Sequence, residues 1–402
     1  MRIAVISVQD DPSAPPRDRD AAGRPHRVAK LTEELRRLGH ELTVHTRRTG
    51  GSPPDRPGVV HVPAGPARPL GQDDVVPHLG EFARFLSARW EEAPPDVVHA
   101  HHWTSGLAAV LATRGTPIPI VLSYHGLAGG DSAGIERLVG RGAAGIVTTS
   151  GQETADLVRL GVRRSRISTV PWGVDTAVFT PHGPATPRTG RVRVLAAGDL
   201  TPRAGLDDLV VALALVSSTE LVVAGGPDRR FLPGNAEHAR LAELAARHAV
   251  ADRVSFIGHV PHAEMPALIR SADVVACPQR QSSFGVVALE AMACGVPVVA
   301  SAVGGLAESV VHRVTGLHVP PHSPALLARA LRLLLGDEVR RRELGAAGHD
   351  RVHLRHTWDR VAREVVRAYD RAAGPEVITA QREPEQGHAR QRRARAREER
   401  GR

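Results

Sequence analysis

The sequence has few aromatic side chains, two cysteines and a single lysine. Phe, Trp and Tyr make up 3% of the 402 residues, whereas apolar residues as a whole reach 42%. The cores must therefore consist mainly of Ala, Val, Leu and Ile, which suits buried parallel strands covered by helices. The length exceeds what one ordinary core accommodates and predicts two domains.

The two cysteines, Cys277 and Cys294, both lie within apolar runs. Two cysteines provide neither a disulfide framework nor a zinc-binding pattern. We interpret them as small buried hydrophobic side chains. The first residues lack a signal-peptide pattern, so we expect a cytoplasmic protein.

No apolar run has the length and uniformity of a membrane span. The longest, residues 285–307, is interrupted by Glu290, Pro297 and several glycines, and it predicts a helix, a strand and a turn. The sequence leaves a peripheral membrane contact open.

The net charge is +9, and arginine supplies nearly all of the positive charge, since Lys30 is the only lysine. A lysine-based phosphate clamp is thereby nearly excluded. The arginines form no recognisable nucleic-acid reading motif, and we do not expect specific nucleic-acid binding. Residues 374–402 are rich in Arg, Gln and Glu and predict a disordered basic tail, which would bind nucleic acid only nonspecifically.

Apolar segments of strand length alternate with segments of helical periodicity along most of the chain. This alternation predicts parallel, doubly wound sheets. The predicted strands are residues 2–8, 42–46, 59–62, 97–100, 120–124, 146–149, 192–197, 220–224, 254–257, 274–276, 297–300 and 317–319. The predicted helices are residues 28–38, 79–90, 106–113, 152–160, 206–216, 237–248, 262–271, 286–293, 324–335, 338–351 and 356–371.

The alternation stops once, in a segment rich in Pro, Thr and Gly, and then restarts. We therefore expect two α/β domains joined by a linker, with ligands at the carboxyl ends of the strands. The predicted divisions are an acceptor-side domain (1–178), a linker (179–191), a nucleotide-sugar domain (192–355), a helix returning toward the first domain (356–373) and the tail (374–402).

Histidines cluster at two predicted strand ends of the first half. His125 follows a strand and precedes Gly126, which places it at the carboxyl edge of the sheet. His99, His101 and His102 have a metal-like composition, but no cysteine or carboxylate accompanies them at a ligand spacing, so no metal site is expected. The first strand leads into Gln-Asp-Asp instead of a Gly-x-Gly-x-x-Gly turn, which argues against a dinucleotide oxidoreductase.

Several segments in order resemble glycosyltransferase family 4. Residues 284–301, FGVVALEAMACGVPVVAS, are the strongest, and residues 96–101, 123–126, 170–175 and 302–308 support them. The chain looks most similar to actinobacterial inositol-phosphate and sucrose-phosphate glycosyltransferases. The resemblance implies a GT-B fold, in which two Rossmann-like domains face a cleft, and sugar transfer from a nucleotide-sugar with retention at the anomeric carbon.

The resemblance also implies roles for individual residues. Glu290 would accept hydrogen bonds from the ribose hydroxyls, and amides at the start of the helix that follows Gly285 would hold phosphate and sugar oxygens. His125 and Ser282 would face the reacting sugar. The implied donor-binding set is Arg203, Phe284, Gly285, Val286, Val287 and Glu290.

Several positions depart from the family pattern. Asp199 and Ala204 stand where the family has an arginine and a lysine that clamp the diphosphate, and Ser282 stands where it has a glutamate. The aspartate inverts a charge and should repel phosphate. Arg203 could substitute for the missing clamp.

The glycine-containing loop near the N-terminus also departs from the family pattern. Gly23 and Arg24 are the candidates for acceptor or phosphate contacts there, and Pro25 lacks an amide donor.

Two main hypotheses follow. The first is a retaining hexosyltransferase that uses a UDP- or GDP-linked sugar, a small or lipid-linked acceptor, and neither metal nor cofactor. The second is a degenerate homologue with impaired donor binding that acts as a partner or regulator. A GT-B epimerase fits the segment around Glu290 less well. The sequence does not determine the nucleotide base, the sugar, the acceptor or the oligomeric state.

Overall fold

The computed structural model describes residues 1–9, 11–12, 24–50, 57–281 and 285–374. The strands of the first half are β1 (Arg2–Ser7), β2 (Glu41–Arg47), β3 (Val59–Val62), β4 (Val97–His101), β5 (Ile120–Ser123), β6 (Gly145–Thr148) and β7 (Ile167–Thr169). The helices of this half are α1 (Arg24–Arg37), α2 (Gln72–Val75), α3 (Leu79–Glu92), α4 (Trp103–Ala112), α5 (Ala133–Gly142) and α6 (Gly151–Arg159).

The second half repeats the alternation. Its strands are β8 (Val192–Ala197), β9 (Thr219–Ala224), β10 (Val254–Gly258), β11 (Val274–Cys277), β12 (Val298–Ser301) and β13 (Gly316–Val319). Its helices are α7 (Leu206–Ala214), α8 (Ala236–Arg247), α9 (Met265–Arg270), α10 (Val286–Ala293), α11 (Gly304–Ser309), α12 (Pro324–Leu335), α13 (Glu338–Arg355) and α14 (358–374).

Each half forms one parallel sheet with helices on both faces. The first sheet has the order β3-β2-β1-β4-β5-β6-β7 and the second the order β10-β9-β8-β11-β12-β13. The strand order reverses between β1 and β4 in one sheet and between β8 and β11 in the other. At such a reversal the loops diverge and leave a crevice at the carboxyl ends of the strands.

Burial on both faces explains why the strands are almost purely apolar. All five residues of β4 and all six of β9 are buried. A contiguous cluster of buried side chains also includes Val5 of the first sheet, Phe179 of the connection and Leu289 of α10, so the two halves share apolar contacts. Among the described residues, no helix is both long and apolar enough to cross a membrane.

Both cysteines are buried, as expected. Burial raises the pKa of the Cys277 thiol and of the Cys294 thiol to about 12. They remain protonated at neutral pH and serve as core side chains.

The sequence pattern did not predict four elements: α2, β7, α5 and α11. The helix α5 contains three glycines, which obscure its periodicity. One of them, Gly140, is required because an added Cβ would lie 2.6 Å from the Tyr124 hydroxyl and 2.9 Å from Val162.

The helix expected at residues 262–271 is shorter than predicted and begins only at Met265. His262 therefore lies in the preceding turn, where its side chain is available to the site described below.

The last helix, α14, returns to the first sheet. Tyr369 is fully buried, and its hydroxyl lies 2.7 Å from His99 Nδ1, while His99 Nε2 lies 2.9 Å from Ser123 Oγ. Burial lowers the pKa of His99 to about 3, so the ring is neutral at pH 7. Two protein hydrogen bonds thus occupy this ring.

Acid should destabilise the protein partly through His99. The unfolded chain protonates this residue near pH 6.5 and the folded protein only near pH 3, so stability should fall as pH decreases from about 6.5. Thermal unfolding of His99→Gln between pH 4.5 and 7 should show a weaker pH dependence than wild type. The exposed His353→Gln variant should follow wild type, and equal slopes in all three proteins would contradict the assignment.

Candidate active site

A cavity of about 420 Å³ lies at the carboxyl ends of β8, β9 and β10 and against α10. All its walls come from the second half of the chain. The lining residues are Ala197, Gly198, Asp199, Ala224, Gly225, Gly226, Pro227, His259, Val260, His262, Met265, Val287 and Glu290. This is the place where a doubly wound sheet binds nucleotides.

One wall of the cavity consists of backbone. Gly225 has φ 131°, and an added Cβ would lie 1.8 Å from the carbonyl oxygen of Gly198. Only glycine permits these two loops to approach so closely. This wall therefore consists of closely packed backbone from two loops.

Glu290 is one of the ionisable side chains that line the cavity. It belongs to the otherwise apolar helix α10 and is 2% exposed. Its Oε1 accepts a hydrogen bond from Nε2 of His262 at 3.0 Å. A buried carboxylate requires such a partner, and this bond is made by Oε1 of Glu290.

The partner of Glu290 was missed by the sequence analysis. His262 follows β10 in the turn before α9, and its ring lies 5.2 Å from His26 of α1 and 5.1 Å from Phe179. Burial, assisted by neighbouring His262, lowers the pKa of His26 to about 4. The first half of the chain therefore touches the cavity edge through a neutral imidazole.

The helix α10 begins at the cavity after a left-handed residue. Gly285 has φ 64°, and an added Cβ would lie 2.7 Å from Leu306. Within the described residues, no side chain caps this helix start. The amides of Val286 and Val287 thus belong to a helix end suited to anions.

The loop after β8 carries the altered clamp positions. Asp199 lines the cavity, whereas Arg203 lies in an exposed turn and is absent from the lining. Within the described residues, no lysine or arginine side chain lines the cavity. The charge at this wall is negative.

Arg280 braces the same loop and was also missed. Its amide donates to the Arg203 carbonyl at 2.9 Å, and its guanidinium donates to the Pro202 carbonyl and to Asp207 at 2.8 Å. Although burial raises the pKa of Asp207, the hydrogen bonds from Arg280 hold it below its ordinary value. The Arg280 cation is therefore engaged with a carboxylate of α7.

His125 lies at the carboxyl end of β5 in the facing half. It adopts φ 61°, and a positive φ at a residue other than glycine often marks a functional site. Its ring stacks between Trp172, 5.1 Å away, and His101, 5.2 Å away, and its Nε2 lies 3.0 Å from His101 Nδ1. The guanidinium of Arg27 lies 5.1 Å from the Trp172 ring centre. This stack orients the imidazole.

Some predicted site residues cannot be placed. Gly23, Ser282 and Phe284 lie outside the described residues. Arg24 is the first residue of α1, and its side chain also lies outside the described part of the chain.

Comparisons with known families cover nearly the whole chain. Residues 25–178 match "Glycosyltransferase Family 4", and residues 183–351 match "Glycosyl transferases group 1". Two relatives named D-inositol 3-phosphate glycosyltransferase, from Xylanimonas cellulosilytica and Jonesia denitrificans, are 38% and 36% identical. Each alignment covers 92% of this chain and, respectively, 97% and 96% of the relative.

The chain belongs to the family 4 (group 1) glycosyltransferases. Among solved structures, a sucrose-phosphate synthase from Thermosynechococcus elongatus superposes with a TM-score of 0.79 at 27% identity, covering 92% of this chain and 98% of that one. Anabaena HepE in complex with UDP has the same fold, with a TM-score of 0.72 at 18% identity, covering 91% and 99%. The predicted family, GT-B fold and glycosyltransferase class are confirmed. The roles of individual site residues stay predictions.

Reversing the charge of Asp199 should strengthen binding of a nucleoside diphosphate to this glycosyltransferase. An arginine there would replace repulsion by attraction, and we expect an affinity gain of about tenfold, or ~1.4 kcal/mol. Calorimetry with UDP, GDP and ADP measures it. Glu243→Arg changes the net charge equally from an exposed site outside the cavity, and an equal gain in that variant would contradict the prediction.

Removing the carboxylate or its partner should weaken nucleotide binding to different degrees. Glu290→Ala removes the proposed ribose acceptor and should lower affinity by about a hundredfold, whereas His262→Ala should lower it by about tenfold because the carboxylate is no longer oriented. His238→Ala, whose ring packs on Phe256 outside the cavity, is the control. Wild-type affinity in Glu290→Ala would exclude ribose contact by this residue.

Proposed function

We propose that the enzyme transfers a hexosyl unit from a UDP- or GDP-linked sugar to a hydroxyl of a small phosphorylated polyol or sugar, with retention at the anomeric carbon. The observation that carries the proposal is the cavity at the strand ends of the second half, with Glu290 at its base and the start of α10 at its side. A ribose diol and a diphosphate need an acceptor and a set of amide donors, and these elements supply both.

The proposed nucleotide contacts lie in the second half of the chain, and the proposed hexose contact of His125 lies in the first. Glu290 would accept hydrogen bonds from the ribose, and the start of α10, from Gly285 to Val287, would hold the diphosphate. Arg203 would approach the phosphate from the exposed loop. His125, held in its stack, would face the hexose and hydrogen-bond a sugar hydroxyl.

The remaining candidates would complete the donor and acceptor sites. Ser282 would contact the reacting sugar and Phe284 the donor, while Gly23 and Arg24 would contribute to the acceptor side. These four assignments rest on the family resemblance.

The proposed transfer needs no reagent besides the nucleotide-sugar and the acceptor. The bond between the anomeric carbon and the β-phosphate oxygen breaks, and its electron pair leaves with the nucleoside diphosphate. The acceptor oxygen forms the new bond to the same carbon, and its proton passes to the departing β-phosphate oxygen. The amides at the start of α10 would stabilise the charge that develops on the leaving group.

A phosphorylated acceptor is supported by the relatives and by charge. The relatives with the names given above act, by those names, on D-inositol 3-phosphate. Arg27 places a guanidinium beside the His125 stack, on the half opposite the donor cavity. An anionic acceptor would meet a cation there.

One observation favours the second candidate, a homologue with impaired donor binding. Asp199 lines the cavity, and within the described residues no lysine or arginine side chain lines it to balance that carboxylate. A diphosphate entering beside this carboxylate is repelled. The enzyme would then act as a partner or regulator of another glycosyltransferase.

Titration and turnover separate the two candidates. UDP, GDP and ADP are titrated by calorimetry, and matching nucleotide-sugars are then incubated with D-inositol 3-phosphate and with hexose 6-phosphates. We expect saturable binding of one nucleotide and a glycosylated phosphate, whose anomeric configuration is read by NMR. A folded sample that binds none of the nucleotides would overturn the first candidate and support the second.

A further inference from the structure

The start of α6 in the first half is capped by a side chain from the second half. Glu308 of α11 accepts hydrogen bonds from the Gly151 amide, at 2.8 Å to Oε1 and 2.9 Å to Oε2, and from the Gln152 amide at 3.3 Å. The local cap, Ser150, accepts only from the Glu153 amide, at 3.1 Å. A carboxylate 157 residues away thus completes the capping of this helix.

The chemistry of this contact is favourable. The first amides of a helix lack partners within the helix, and its N-terminus carries partial positive charge, so a carboxylate binds there through charge-assisted hydrogen bonds. Gly151 permits the approach, since an added Cβ would lie 3.2 Å from Glu308 Oε1. The contact is exposed to solvent, and it can open without burying an unpaired charge.

The same turn of α6 also holds the loop of His125. Glu153 Oε2 accepts from the Thr149 amide at 2.7 Å, and its Oε1 accepts from the Gly126 amide at 3.0 Å. Gly126 directly follows His125. Movement of this helix start would therefore move the imidazole.

The other end of the contact reaches the donor helix. Leu306, two residues before Glu308, packs against Gly285 at the start of α10. Arg351 of α13 donates to the carbonyls of Glu308 and Ser309 at 2.9 and 3.0 Å, which fixes the end of α11 within the second half. The helix α11 is therefore rigidly related to the donor cavity.

We propose that Glu308 is a positioning residue that closes the cleft and aligns His125 with a donor held at α10. The inference rests on the proposed function. Glu308 is not part of the cavity lining. It joins α6, which holds the loop of His125, to α11, which packs against the start of α10. Its loss should leave the nucleotide cavity intact and misplace the imidazole.

Two variants and one control test the proposal. Glu308→Ala removes all three hydrogen bonds, and Glu308→Gln keeps an acceptor oxygen without the charge. Asp337→Asn is the matched control, because Asp337 caps α13 by accepting from the Arg340 amide at 2.9 Å entirely within the second half. Each protein is examined by X-ray scattering with and without UDP, by calorimetry with UDP, GDP and ADP, and by turnover of the nucleotide-sugar that wild type uses.

The expected result is a separation of binding from turnover. In Glu308→Ala, nucleotide affinity and donor KM should stay within about twofold, while kcat falls about tenfold or more and the radius of gyration increases. Glu308→Gln should be intermediate, and Asp337→Asn should match wild type in kcat and radius of gyration. Unchanged kcat and radius in both Glu308 variants, or equal losses in Asp337→Asn, would overturn the proposal.

Failure of the proposed function gives a different pattern. If wild type neither binds nucleotide nor turns over donor, the donor assignment is wrong, whereas the radius of gyration still tests Glu308. If Glu308→Ala does not fold, Glu308→Gln provides the test, provided that its thermal stability matches that of wild type. A wild-type kcat in Glu308→Gln then overturns the proposal.

Discussion

Adjacent parallel strands run in the same direction, so the chain must cross back over the sheet before the next strand begins. Each connecting loop therefore leaves the sheet at its carboxyl edge and enters the N-terminus of a helix, where the first amides have no partner within the helix. Both halves of this glycosyltransferase follow that constraint. Its second half presents the start of α10 to a cavity, and its first half places His125 and the start of α6 at the opposing edge. The fold leaves the first amides of each helix without partners inside that helix. At α6, Ser150 and Glu308 accept from them, whereas at α10 no side chain among the described residues does.

Phosphate charge is the second constraint, and here the enzyme is unusual. The cavity wall after β8 carries Asp199, and the nearby Arg280 is engaged with Asp207 instead of being directed into the cavity. A diphosphate bound in this cavity would therefore depend more on backbone amides than on side-chain cations, since amides stabilise an anion without a counter-charge. If these amides are enough to bind the diphosphate, the protein is an active transferase; if they are not, it is a degenerate homologue.

Neutral histidines, one buried and one partly buried, connect the two halves. His99 binds Tyr369 of the returning helix, and His26 packs on His262 beside the donor cavity. Burial lowers the pKa of His99 and of His26 far enough that neither adds charge to these contacts at pH 7. Interdomain surfaces rich in histidine can therefore pack closely without electrostatic repulsion.

The sequence by itself determined the doubly wound architecture and the main elements, because their periodicity is local. The predicted bounds of β8, α10 and α12 agree with the structure. The predictions failed where the local signal was weak. The strand β7 has only three residues, and in α5 Gly140 is required for close packing against Tyr124.

The motif around Glu290 predicted where the cavity lies, but its partner His262, the brace Arg280 and the interdomain acceptor Glu308 were not foreseen. Each of these contacts joins residues 28 or more positions apart, so which atoms meet depends on how the crossover helices and the two sheets pack. Only the tertiary structure could decide them, because no local pattern in the chain encodes a distance between two loops.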